Sequence, residues 1–161
     1  MRGQFRFWPG TSRELVIPNN ILTEGEESFL KMIVQGDDTD VAEGGDFYVG
    51  LCGLTFSEDF TLADIVGEPT VTNGYARTAV TRDNVGWPTI DLVGGVRRAQ
   101  TADIDFEATG GSFSTGISRA FLCNVSSGTS GLLFSISGAL PSPIIIAPGA
   151  PVPIRYELFL R

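Results

Sequence analysis

Residues 61–81, TLADIVGEPTVTNGYARTAVT, hold three punctuation signals in a single short stretch. Thr61 is placed to cap a short helix over Leu62-Ala63-Asp64-Ile65, with its hydroxyl toward the first backbone N–H groups and Asp64 near the positive helix end. Glu68-Pro69 stops that helix, because the proline ring crowds helical geometry at the residue before it. Asn73-Gly74 both tolerate positive φ, which predicts a turn opening a strand over residues 75–81. Helix, stop, turn and strand in such quick succession describe scaffolding, and the rest of the chain has the same character.

The chain has 161 residues, a length that suits one domain with a continuous core. Twenty glycines and nine prolines separate short apolar segments, which favours a mainly β domain with many turns. The net charge of −8 speaks against a nucleic-acid surface, which needs clustered Lys and Arg. The acid is concentrated. Residues 1–20 carry three Arg and one Glu, residues 21–68 carry twelve acids and one Lys, and the remainder holds seven Arg and six acids. The opening residues lack a secretory leader pattern, no apolar run is long enough to span a membrane, and folding in a cytoplasm is the expectation. Cys52 and Cys123 lie inside apolar strand-like segments, where they are expected to be buried, reduced thiols.

A helix is predicted over about 24–35: Thr23-Glu24-Gly25-Glu26 has the capping-box form, Phe29, Leu30, Ile33 and Val34 share one face, and Gly36 supplies a stop. Asp37-Asp38-Thr39-Asp40 lacks the Gly and Glu that a calcium loop needs downstream and is read as a solvated loop. Phe47–Cys52 is a central strand, with Gly50 marking the close approach of a backbone or ring. Trp87-Pro88 begins an irregular connection. Residues 96–108 form a long half-exposed strand in which Ala102, Ile104 and Phe106 alternate with Asp103, Asp105 and Glu107. Residues 117–123 and 132–137 are more apolar on both faces, Ile144-Ile145-Ile146 is short, and residues 152–160 alternate to the end, with Pro153 limiting that strand to an edge or a strand start. These elements predict an antiparallel β-sandwich, jelly-roll-like or immunoglobulin-like, over residues 21–161.

Residues 1–20, MRGQFRFWPGTSRELVIPNN, are read as an extended N-terminal arm broken by Pro9-Gly10 and Pro18. Phe5, Phe7 and Trp8, with Arg6 and Arg13 among them, are the candidate partner-binding residues, since aromatics and Arg are favoured at interface centres.

Catalytic signals are absent from the sequence. There is no histidine, the commonest general base and metal ligand, and two cysteines cannot build a cysteine-rich zinc site. The phosphate-binding, dinucleotide and nucleophile-elbow motifs are missing. Carboxylate pairs can hydrolyse glycosides, but Asp103, Asp105 and Glu107 are expected on one wet face. The expectation is a non-enzyme with no catalytic, cofactor or metal site.

The helix TEGEESFLKMIVQG, the strand FYVGLCG, the TLADI…EPT…NGYAR block, Trp87 and the closing YELFL resemble small virion proteins of tailed bacteriophages. The resemblance implies a capsid decoration (cement) protein, or else a tail, fibre or knob component that meets a host receptor with exposed aromatics such as Trp87. It also implies a place on the virion, the major capsid protein or other virion subunits as partners, and a homo-oligomer, with a trimer the first guess.

Overall fold

A computed structural model describes residues 2–9, 13–30, 45–53, 59–113 and 116–160. Among the described residues the chain is mainly β, with one α-helix. The strands are β1 (Arg2–Phe7), β2 (Leu15–Ile21), β3 (Phe47–Cys52), β4 (Thr78–Val80), β5 (Thr89–Val93), β6 (Val96–Gln100), β7 (Ile104–Phe106), β8 (Arg119–Cys123), β9 (Leu133–Ser137) and β10 (Val152–Leu160); helix α1 is Thr23–Leu30. Hydrogen bonds join all ten strands into one curled antiparallel sheet, a half-barrel, in the order β4-β3-β8-β9-β2-β1-β10-β6-β5, with β7 also on β10. The ladders thus form one continuous sheet, where the sequence had suggested two packed ones.

The largest correction concerns the N-terminus. The expected arm is a hairpin in the middle of the sheet: β1 pairs with β10 from Arg2↔Phe159 to Phe7↔Ile154, and with β2 from Gly3↔Asn19 to Phe7↔Leu15. Phe5 and Phe7 alternate with Gln4 and Arg6, so one face of β1 is aromatic and the other polar. Both rings are fully buried, and Phe5 meets Tyr156 edge-on at 4.8 Å. They are core side chains, not docking side chains.

Two prolines stand in interior strands, and both are tolerated for the same reason. The N–H and C=O of one strand residue point to the same side. Pro18 C=O accepts from Gly138 N–H, just beyond the end of β9, and Pro153 C=O accepts from Trp8 N–H, just beyond the end of β1. The donor each proline lacks therefore faces a place where the neighbouring strand has already ended, and no ladder bond is lost. Pro153 does sit near a strand start, but β10 is interior.

The main core lies inside the curl and includes Phe5, Phe7, Val49, Leu51, Phe106, Ile117, Phe134, Ile154 and Tyr156. A second apolar cluster covers the opposite face of β3, β8 and β9: Leu22, Cys52, Leu62, Phe121, Cys123, Leu133 and Ile136, with Phe60 and Ile65 against them. This explains why these strands read as apolar on both faces. The lid over that second face is the segment opening the 61–81 stretch. Its helix is a 3₁₀ turn, Leu62–Asp64, and Asp64 accepts from both the N–H and the hydroxyl of Thr61 at 2.9 and 2.8 Å, so the hydroxyl serves Asp64 and not the backbone. Gly74, at φ 81°, ends the turn Val71–Asn73 as the Asn-Gly signal predicts, but the strand that follows is only β4.

A shift in register where β8 meets β9, between Leu122/Cys123, leaves Phe134 opposite no residue, and its ring joins the main core. Helix α1 docks on β9. Its first helical bond runs from Glu26 N–H to Leu22 C=O, one residue earlier than the capping box implied, and Phe29 meets Phe134 at 5.7 Å. The predicted extension through Ile33, Val34 and Gly36 and the acidic loop at 37–40 lie outside the described residues. The long strand expected over 96–108 is two strands, β6 and β7, parted at Thr101-Ala102-Asp103, and the connection expected after Trp87-Pro88 is β5. Ile144 makes only an isolated bridge to Ile117.

At Gly50 a Cβ would collide with the Phe121 ring, the close approach that the lone strand glycine suggests. Gly50→Ala is therefore expected to destabilise the protein by about 1–3 kcal/mol through overpacking, read as a lower midpoint in urea with unchanged slope. Deleting residues 2–21 should abolish the cooperative transition altogether, since it removes two interior strands.

Candidate functional site

Three features of the described surface carry chemistry or recognition potential. The first is the convex side of β1, β10, β6 and β5. Register puts Arg2, Gln4, Arg6, Arg155, Glu157, Phe159, Arg98 and Asp91 on this one face. Glu157 is fully buried here. It accepts from Gln4 Nε2 and, at 2.6 Å, from Arg98 Nη1; Arg6 Nε stands 2.9 Å away as an ion pair without a well-aligned hydrogen bond. Arg6 also binds Glu14 at 2.7 Å, Arg98 holds Asp91 in a fork at 2.6 and 3.0 Å, and Arg155 forks onto Asp103. Arg6 and Arg155 face each other across the β1–β10 pair, a like-charge contact that these acids offset.

Two aromatic rings sit under arginines at the ends of this face. Arg155 lies 5.0 Å over Trp8 and Arg2 lies 5.9 Å over Phe159. Trp8 and Phe159 are half-buried, while Arg2 and Arg13 are exposed. Of the five residues singled out for partner binding, the structure thus keeps Arg6, Trp8 and Arg13 at the surface and moves Phe5 and Phe7 inside. The Glu157 node could not be found by local pattern. Its partners arrive from residues 4, 6 and 98, and the one hint was an acid inside the otherwise apolar close of the chain.

The second feature is a node behind a surface hollow of about 500 Å³ lined by Glu68, Tyr75, Arg77 and residues 126–128. Arg77 forks onto Glu68 at 2.8 and 2.9 Å, donates to Val125 C=O at 3.3 Å, and lies 5.2 Å over the Phe121 ring. Tyr75 donates to Glu68 at 2.8 Å and accepts from Leu51 N–H at 2.9 Å. Burial pushes the Tyr75 phenol well above its ordinary range, so it remains a neutral donor. The node pins the Glu68-Pro69 stop to β3 and β8. Its polar groups are spent on one another, which suits a brace rather than a reacting site.

Cys123 lies 3.8 Å from Arg77 Nη1, yet burial outweighs that charge and pushes its thiol pKa up. Both cysteines are reduced and buried, in agreement with the sequence reading. Asp103, Asp105 and Glu107 are exposed, also as read. Trp87 is not the exposed platform expected: it packs edge-on against Phe47 at 6.3 Å and Tyr156 at 5.9 Å. Among the described residues, no group of His, Cys, Asp or Glu is arranged to hold a metal ion, and no helix is long and apolar enough to cross a membrane.

The third feature is the sheet edge at β5, where Ile90, Leu92 and Val93 are 72%, 61% and 42% exposed. Comparison with protein-family models and with curated proteins finds no match.

Asp91 is held below the ordinary carboxylate range by its hydrogen bonds from Arg98, and Asp83 by the Gly86 N–H, with help from Thr81 and the Val85 N–H. Lowered folded-state values mean stability that is present at neutral pH and lost as pH falls through those values. Thermal midpoints should hold near neutrality and drop toward about pH 3, and Asp83→Asn should flatten that drop. Glu157→Gln is expected to cost about 1–3 kcal/mol, because a buried charge-assisted partner of Arg6 and Arg98 becomes neutral. A thiol reagent should label Cys52 and Cys123 only on the timescale of unfolding.

Proposed function

We propose that this chain is a bacteriophage virion structural protein, a capsid decoration or cement subunit that binds the assembled head and holds it together. The observation that carries the reading is the convex face described above, where Arg2, Trp8, Arg155 and Phe159 combine arginine and aromatic surface, with Arg13 exposed two residues before β2. Such composition is that of interface centres. A subunit that binds only the assembled shell stabilises it by mass action. The partner surface would be acidic or carbonyl-rich, on the major capsid protein or another virion subunit. The resemblance of the helix, the Phe47–Gly53 strand, the 61–81 block and the closing YELFL to phage virion proteins supports a place on a virion, and kinship with jelly-roll or immunoglobulin-like sandwiches belongs to the same reading. No enzymatic step or cofactor is part of it. The receptor-binding alternative leaned on an exposed Trp87 and loses that support, since this ring packs on the core.

The test is to add purified chain to shells that lack it and measure both occupancy and shell stability to heat. Wild type is expected to load in hundreds of copies and raise the disruption temperature. Arg2→Glu with Arg13→Glu, both at exposed positions, should lose binding while keeping the unfolding midpoint of the isolated chain. Full binding by that double variant would place the interface elsewhere, and no binding by wild type would end the cement reading.

A further inference from the structure

The two ends of this open sheet are not equivalent. At one end, β4 is three residues long and shares a groove of about 280 Å³ with β7, so the curl of the sheet brings that edge against the body. At the other end, β5 is a five-residue strand closed to β6 by Gly94-Gly95, at φ 56° and 79°, and among the described residues nothing lies beyond it in the sheet. Natural edges are blunted with Lys, Pro, bulges or very short strands. The β5 edge, Thr89-Ile90-Asp91-Leu92-Val93, has Pro88 only at its mouth. Its one charge, Asp91, is forked onto Arg98 of the neighbouring strand.

Backbone bookkeeping shows what the edge offers. Thr101 N–H bonds Tyr156 C=O, and antiparallel strands alternate their bonding sides, so 97, 99 and 101 point toward β10 while 96, 98 and 100 point toward β5. From the register Asp91↔Arg98, it follows that Thr89, Asp91 and Val93 bond β6, whereas Ile90 and Leu92 turn their N–H and C=O groups outward. Those two residues are also the most exposed apolar side chains of the strand. Cross-strand register sets Ile90 beside Ala99 and Leu158, and Leu92 beside Arg97 and Leu160, itself 50% exposed. Unpaired backbone groups and an uncovered apolar strip thus coincide on the same edge.

We propose that β5 pairs antiparallel with β5 of a second copy of this chain, about a two-fold axis at Asp91. The occupant is fixed by self-complementarity. A two-fold at Asp91 sets Ile90 opposite Leu92 of the other copy, twice, and these are the residues with outward backbone groups. Centring one residue away on either side would instead bring the outward groups against Pro88, which has no N–H, or against the Gly94 turn. On one face the apolar strips of the two copies join across the axis. On the other, each Asp91 keeps its own Arg98, so the axis holds a neutral quartet. A trimer would need β5 to meet a different surface, and the β4 edge matches it poorly in length. The pairing concerns the isolated chain and does not rest on the virion reading.

Sedimentation velocity of the full chain from about 1 to about 200 μM tests it, with a monomer–dimer equilibrium expected. Ile90→Lys and Leu92→Lys, at positions already facing solvent, should each leave a monomer with an unchanged thermal midpoint. Asp91→Cys sets two thiols across the axis in a non-hydrogen-bonded pair, with Cα atoms about 4.5 Å apart, within the Cα span that a disulfide bridges. Mild oxidation should cross-link it into a dimer, and Val85→Cys, 73% exposed and off this strand, should stay uncross-linked. A wild-type chain that is monomeric at the highest concentration, a dimer that survives both lysine variants, a trimer, or cross-linking of Asp91→Cys no faster than Val85→Cys would each overturn the proposal.

Discussion

The pairing of the first strand with the last is the constraint on which this fold depends. β10 holds β1 along six residues, with β6 and β7 on its other side, and β1 in turn carries β2 and, through it, β9. Remove that contact and the sheet falls into two groups of strands, with the core of Phe5, Phe7, Ile154 and Tyr156 split between them. Contacts between residues 147 to 157 positions apart close a long loop before they return any burial, so the sheet is completed late and its high contact order predicts slow folding. The polar side of the same pairing is the Glu157 node. A carboxylate fully removed from water is tolerable only because Gln4, Arg6 and Arg98 surround it, so one strand pair fixes both the core and the charge network.

Much of the sheet was legible. β3, β9 and β10 fall where alternation or continuous apolar runs put them, and Gly50 and Gly74 do what lone glycines in those contexts do. What failed has identifiable causes. Pro9-Gly10 and Pro18 disguised residues 1–20 as an arm, because a proline in an interior strand is ordinarily forbidden; Pro18 is allowed here only since the neighbouring strand has ended, which no local pattern records. Phe5 and Phe7 carried the right alternation, and their proximity to arginines made them look like docking side chains. β5 was missed for a different reason. Thr89-Ile90-Asp91-Leu92-Val93 does alternate, but the run is only five residues long and follows Trp87-Pro88, which reads as the start of an irregular connection.

The candidate surface was legible only in part. Arg6, Trp8 and Arg13 are at the surface as read, but the face that holds Arg6 and Trp8 is assembled from β1, β10, β6 and β5, and its members Arg98, Arg155, Glu157 and Phe159 are distant in sequence. The braced node of Glu68, Tyr75 and Arg77 lies in the stretch that organises the chain, and its contacts explain the rigidity of the Glu68-Pro69 stop. On the proposed reading, the arginine- and aromatic-rich convex face and the β5 edge would make contacts in two directions, as a subunit in an assembly requires.

The central claim is that Arg2–Phe7 and Leu15–Ile21 are interior strands of the sheet. Native-state hydrogen exchange measures it most directly. The account predicts that β1 amides bonded to β10 exchange only through global unfolding, with the same free energy and denaturant slope as the amides of β8 and β9. Exchange of β1 amides at the rate of a frayed terminus, while β8 and β9 stay protected, would contradict it.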